Sequence, residues 1–126
     1  KMSDTYINNL KKGKYNSYKI KKYKDTNLNY QSSYEKDFLE LCESINILNN
    51  IKNGNTFKLK DDIHHILTDF SMDNYEIEIK SSWIMKKQGG IKKLNEKRNA
   101  VESAGKTYIF ILDKNYSEFL ELIKKL

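Results

Sequence analysis

The sequence predicts an α/β fold, a mixed β-sheet with helices packed on its faces, and three observations carry that prediction. Segments of apolar periodicity follow one another in the order α-β-β-β-β-α-β-α, so strands come consecutively before one helix crosses over to a last strand. The stretch "NYEIEIKSSW", residues 74–83, alternates strictly. It points Ile77 and Ile79 one way and Glu76, Glu78 and Lys80 the other, as on a strand with one dry and one wet face. The run "KTYIFIL", residues 106–112, is nearly all apolar and suits a central strand buried on both sides.

Each element has a local reason. "YQSSYEKDFLELCESI" reads as a helix, with Ser32 or Ser33 as N-cap and Glu35 or Lys36 in the first turn. Its Tyr34, Phe38, Leu41, Cys42 and Ile45 recur at helical spacing and face a core. "INILNNIKNGNTFKLK" predicts two short strands around Asn53-Gly54, a hairpin signal. "HHILTDF" is a short strand ending in Asp69, and a turn at Ser71–Asn74 folds it beside the alternating stretch. "QGGIKKLNEKRNAVESAG" is a helix with Gly105 at its C-terminal end and Ile91, Leu94, Val101 and Ala104 on one face. "NYSEFLELIKKL" closes the chain as an amphipathic helix that turns Phe119, Leu122, Ile123 and Leu126 inward.

The 126 residues suit a single core. No apolar run approaches the ~20 residues that cross a bilayer, and no signal-peptide pattern opens the chain. A single cysteine, Cys42, allows no internal disulfide and suits a reducing compartment, so an intracellular protein is expected. The absence of proline and the abundance of Asn and Lys fit an AT-rich genome, such as a viral or mobile one. Residues 1–28 hold eight Lys and two Asp, which puts the whole net charge of +6 in that segment. With Tyr15, Tyr18 and Tyr23 interleaved, residues 1–30 read as a basic arm that either contacts nucleic acid or is a solvated leader, followed by a folded domain over 31–126.

Glu78 and Lys80 share a strand face, and the turn before them brings Asp69 close to Glu78. Two carboxylates and an amine around one pocket suit metal-assisted hydrolysis of a phosphodiester, because Mg²⁺ takes oxygen ligands and is often held by one or two carboxylates. A nearby lysine can orient water or stabilise developing charge. Taken alone, the same alternation is also ordinary design for a solvent-facing strand with cross-strand ion pairs. Adjacent His64 and His65 point to opposite faces of a strand and do not converge on one metal.

In order and spacing, "SSYEKDFL", "ILTDF", "YEIEIKSSW" and "KTYIFIL" resemble the PD-(D/E)XK nuclease superfamily over about residues 31–112. The layout is most similar to phage-type Holliday-junction resolvases and homing-type endonucleases. The resemblance implies a restriction-endonuclease-like αβββαβ core. It also implies that Asp69, Glu78 and the backbone carbonyl of Ile79 ligate Mg²⁺, with Mn²⁺ able to substitute. Lys80 is then the catalytic lysine beside the attacking water. Glu35, the acidic residue of the first helix, completes a metal site or positions water. Thr68 stands where the motif has proline, and Glu76, one pleat further back, is a second-shell or surface residue.

The expected partner is DNA. Lys86, Lys87, Lys92, Lys93, Lys97 and Arg98, with Glu96, form a segment of net charge +5 directly after the active strand. With Gln88 and with Lys19, Lys21 and Lys22 of the arm, these would track phosphates; a solvated helix face is the other reading of the segment. Trp83 is expected to pack. One site cuts one strand, so cutting both takes a dimer or two sequential nicks, and a homodimer is expected; no membrane role is expected. A DNA-binding module without activity and an RNA-processing protein are the alternatives.

Overall fold

The structure is a computed structural model and describes residues 20–87 and 89–126. Its elements are β1 (Lys21–Lys22), β2 (Asn29–Tyr30), α1 (Ser33–Ser44), β3 (Lys52–Asn53), β4 (Thr56–Lys58), β5 (His65–Leu67), β6 (Phe70–Met72), β7 (Tyr75–Lys80), α2 (Ser82–Lys87), α3 (Gly90–Ser103), β8 (Thr107–Leu112) and α4 (Ser117–Lys124). A four-stranded sheet runs β3-β6-β7-β8, antiparallel except for the parallel β7–β8 pair, and helices flank it. The α/β class and the mixed sheet are therefore as the sequence predicts.

Strand centrality is not. β6 and β7 are the inner strands, and among the described residues β8 lies at the sheet's edge. An apolar run signals burial of side chains, not the number of paired neighbours, so it does not make a strand central.

Asn53-Gly54 is no hairpin turn. Lys52 pairs with Ser71 and Asn53 with Phe70, then Thr56 with Leu67, Phe57 with Ile66 and Lys58 with His65, all in one register. Hydrogen bonds from Gly54 N to Asp69 O (3.2 Å) and from Thr68 N to Asn55 O (3.1 Å) join the two halves. One bent hairpin thus spans residues 52–71. It turns at 60–63, where Asp61 Oδ1 accepts from the backbone N–H of Ile63 and His64 (2.9 Å each) and Asp62 takes φ 56°. Gly54 is needed for a different reason: a Cβ there would lie 1.8 Å from the Thr68 carbonyl oxygen. The next turn is shorter than expected, with only Asp73 and Asn74 between the paired Met72 and Tyr75.

Ser32 is the N-cap of α1; its Oγ accepts from Glu35 N at 3.2 Å. The C-terminal end of α3 is a Schellman motif, with Gly105 at φ 81° and hydrogen bonds from Gly105 N to Glu102 O and from Lys106 N to Val101 O. Ile77, Ile79, Ile109 and Ile111 meet Phe38, Phe70 and Phe119 on one face of the sheet, where Phe38 stacks on Phe70 (5.4 Å) and meets Phe119 edge-on (5.0 Å). Phe57, Val101 and Tyr108 form a smaller core under α3.

Four apolar expectations fail. Ile91, Ala104, Leu126 and, at the end of α1, Ile45 are exposed, while Leu39 takes a fully buried place. β7 ends at Lys80, so Trp83 sits on α2, where it is 60% exposed. The basic segment is folded from Lys21 onward: β1 and β2 pair as a hairpin that buries Tyr23 and Leu28 in the main core. Among the described residues no helix is long and apolar enough to cross a membrane.

Candidate active site at a strand fork

Residues 64–68 stay paired with 55–59, while β7 runs straight on beside β8, so the strands part at Asp69. Asp69 occupies the fork. Its backbone N–H donates to Ile77 O (3.1 Å), and its side-chain Oδ2 accepts from Ile79 N (2.7 Å), continuing the ladder where the neighbouring backbone has left. The N–H and C=O of a strand residue point to the same side, so the Ile79 carbonyl also faces the fork. A cavity of about 340 Å³ opens there, lined by Glu35, Asp69, Glu78, Lys80 and Lys97 among others. The expected set of Glu35, Asp69, Glu78 and Lys80 is brought together.

The polar face of β7 is not a wet one. Glu78 is 1% exposed and Glu76 is 0% exposed, beneath α3. Glu78 Oε2 accepts from Lys97 Nζ at 2.8 Å and lies 3.4 Å from Lys80 Nζ. Among the described residues its buried Oε1 has no hydrogen-bond partner. Burial raises the Asp69 carboxyl well above the usual range, and the Glu78 and Glu35 carboxylates add to the rise against Lys80 and Lys97. Glu35 is raised in the same way, by burial first and then Glu78, opposed by the Gln31 N–H and Lys80. Burial works against a charged Lys80, but Glu78 and Asp69 outweigh it, and the ammonium is held above its ordinary value.

Glu76 belongs to a separate, closed network, which corrects the surface alternative. Its Oε1 accepts from Thr68 Oγ1 (2.7 Å) and its Oε2 from Asn55 Nδ2 (2.9 Å) and Lys106 Nζ (3.2 Å). Thr68 also serves the fold: its Oγ1 accepts from Asn55 N (3.1 Å) and ties the hairpin to β7 next to Asp69. Glu35 has a structural duty as well. Its Oε1 accepts from Gln31 N at 3.2 Å in a variant of the capping box.

Lys97 is the main correction to the expected DNA-contacting set, because it is spent on Glu78 inside the site. Arg98 lies over the Tyr108 ring at 5.6 Å. Lys21, Lys22, Lys86, Lys92 and Lys93 are exposed. Lys19, Gln88 and the side chain of Lys87 lie outside the described residues. The signal for Lys97 was available: Leu94, Lys97, Arg98 and Val101 share one helical face, so a face that buries Val101 carries Lys97 with it. His64 is exposed and pairs with Asp61, while His65 lines the cavity, so the two diverge as expected.

Among the described residues no group of three or more His, Cys, Asp or Glu side chains forms a ready-made metal cage. Mg²⁺ does not require one, since one or two carboxylates suffice. The donor set fits such an ion: three carboxylates face two ammonium groups in the cavity lining, and the Glu78 Oε1 has no partner. Compared with protein-family models, curated proteins and solved structures, the chain finds no match.

Proposed function

We propose that this chain is a Mg²⁺-dependent DNA endonuclease of the PD-(D/E)XK type, with a restriction-endonuclease-like core, acting on a homing-type target or a DNA junction. One observation carries the reading: Asp69, Glu78 and Lys80 meet at the strand fork, where a buried carboxylate oxygen of Glu78 has no partner among the described residues. On a solvent-facing strand the same Glu-Ile-Lys alternation would be surface design. Buried charge costs several kcal/mol per ion unless it is compensated, so a free carboxylate oxygen there calls for a ligand.

Asp69, Glu78 and the Ile79 carbonyl would hold Mg²⁺, which when bound polarises the phosphoryl group and acidifies water. Asp69 is fixed for that task by Ile79 N, and Glu78 by Lys97. Lys80, held in its charged form, faces the charge that develops on the phosphate. Glu35 takes the water side while capping α1. The exposed Lys86, Lys92 and Lys93 of α2 and α3 track the DNA backbone. Cutting both strands in one encounter would take two such sites in a homodimer; a single site would nick them in turn.

The test is cleavage of supercoiled plasmid and of a four-way junction with Mg²⁺ or EDTA, comparing wild type with Lys80→Ala. Metal-dependent cutting that the substitution abolishes is the expected result. Cutting that survives Lys80→Ala would overturn the assignment of the active strand.

A further inference from the structure

The fork cavity is larger than a metal and a water require. Its volume of about 340 Å³ lies in the range of small-molecule pockets, ~300–1,000 Å³. Ile20, Tyr30, Ile66 and Leu67 line it together with Asp69, Glu78 and Lys80. A ligand that matches this lining has an apolar part and a phosphate. The aromatic wall is fixed: Tyr30 ends the β1–β2 hairpin and meets the buried Tyr23 edge-on at 6.4 Å. Asn53 anchors that hairpin to β3, with its Nδ2 donating to Asn27 O (2.8 Å) and its Oδ1 accepting from Asn29 N (2.9 Å). His65, whose Nε2 is buried without a hydrogen-bond partner, adds a polar group to the same lining.

A base stacked in a continuous duplex cannot enter such a recess while its own phosphate stands at the carboxylates. It must leave the stack, and that costs least where the nucleotide is already unpaired. We propose that the cavity receives an unpaired nucleotide next to the cut phosphate, so that the substrate is a bulge, branch or single strand rather than regular duplex. Tyr30 and Leu67 would pack on the base as a sequence-tolerant platform, and Lys21 and Lys22, exposed and paired with Tyr30 and Asn29, lie beside its wall. This inference rests on the phosphodiesterase reading.

The experiment uses the full chain with Mg²⁺ on three DNAs of one sequence: a duplex, the same duplex with a one-nucleotide bulge, and the bulge carrying an abasic residue. Expected is cutting at the bulge about tenfold faster than of the duplex, lost when the bulged base is removed. Equal cutting of all three would overturn the cavity's role and leave the nuclease reading standing, as would a bulge preference indifferent to the missing base. No metal-dependent cutting of any of them, nor of the supercoiled plasmid and the four-way junction, would overturn both.

Discussion

The two faces of β7 are both buried, yet they are opposite in chemistry. Ile77 and Ile79 point into an aromatic cluster of Phe38, Phe70 and Phe119, where packing alone decides what fits. One residue away in each direction, Glu76, Glu78 and Lys80 lie under α3, where every polar atom must find a partner or serve as a binding group. A second contrast lies within the polar face. Glu76 has both oxygens occupied by Thr68, Asn55 and Lys106, so it holds the fold; Glu78 has one oxygen held by Lys97 and one without a partner, so it can bind. A period-2 pattern cannot distinguish these neighbours, whereas their hydrogen-bond complements do.

That contrast breaks most sharply on paired substitutions. Glu78→Gln should lower cleavage by on the order of 10²–10³-fold, comparable to loss of one preorganised charge-stabilising group, with a smaller change in thermal unfolding than Glu76→Ala, because the isosteric amide oxygen still accepts from Lys97. Glu76→Ala should do the reverse. It leaves Lys106, Asn55 and Thr68 without their acceptor, and breaking a buried pair costs about 3–5 kcal/mol. The melting temperature should fall by roughly 10 °C or more, with the activity of the remaining folded molecules largely kept. Unfolding scans and rates on both variants check this, and similar behaviour of the two would dissolve the distinction.

A finer test concerns how Glu78 is aimed. Lys97 holds Oε2 at 2.8 Å, while Oε1 has no partner among the described residues; if Glu78 binds the metal as proposed, Lys97 is the partner that orients it. Lys97→Met should weaken binding of Ca²⁺, an inert stand-in measured by calorimetry, by about 10-fold, and Lys97→Arg should recover part of it. A tighter Ca²⁺ complex in Lys97→Met would mean that the ammonium competes with the cation instead of positioning its ligand.

The class, the mixed sheet and the meeting of Asp69 with Glu78 were legible in the sequence because they follow from alternation and from a short turn. What escaped it depended on long-range contact. Asn53-Gly54 carries a turn signature, but its glycine serves a close strand approach to Thr68, which only the register of the whole 52–71 hairpin reveals. Lys97 reads as one of several surface lysines until α3 is laid on β7. The buried state of Glu76 and Glu78 could not be separated from exposure, since a covered polar face and a solvated one have the same period.

The apolar face offers the smallest and cleanest effect. Cys42 is fully buried on the α1 side, and burial pushes its thiol up to about 12. A thiol near 8.5 in the unfolded chain and near 12 in the fold binds its proton more tightly when native. Its contribution is therefore complete below the unfolded value and drains away as the pH climbs towards the folded one. Reaction with a thiol reagent at pH 8 should be slow in the native protein, where both thiolate and access are lacking, and fast once denaturant opens the core. Cys42→Ala should flatten the alkaline limb of the stability curve while leaving cleavage untouched, because the face that packs is not the face that binds. Loss of cleavage in Cys42→Ala at unchanged melting temperature would show the two faces of β7 to be coupled.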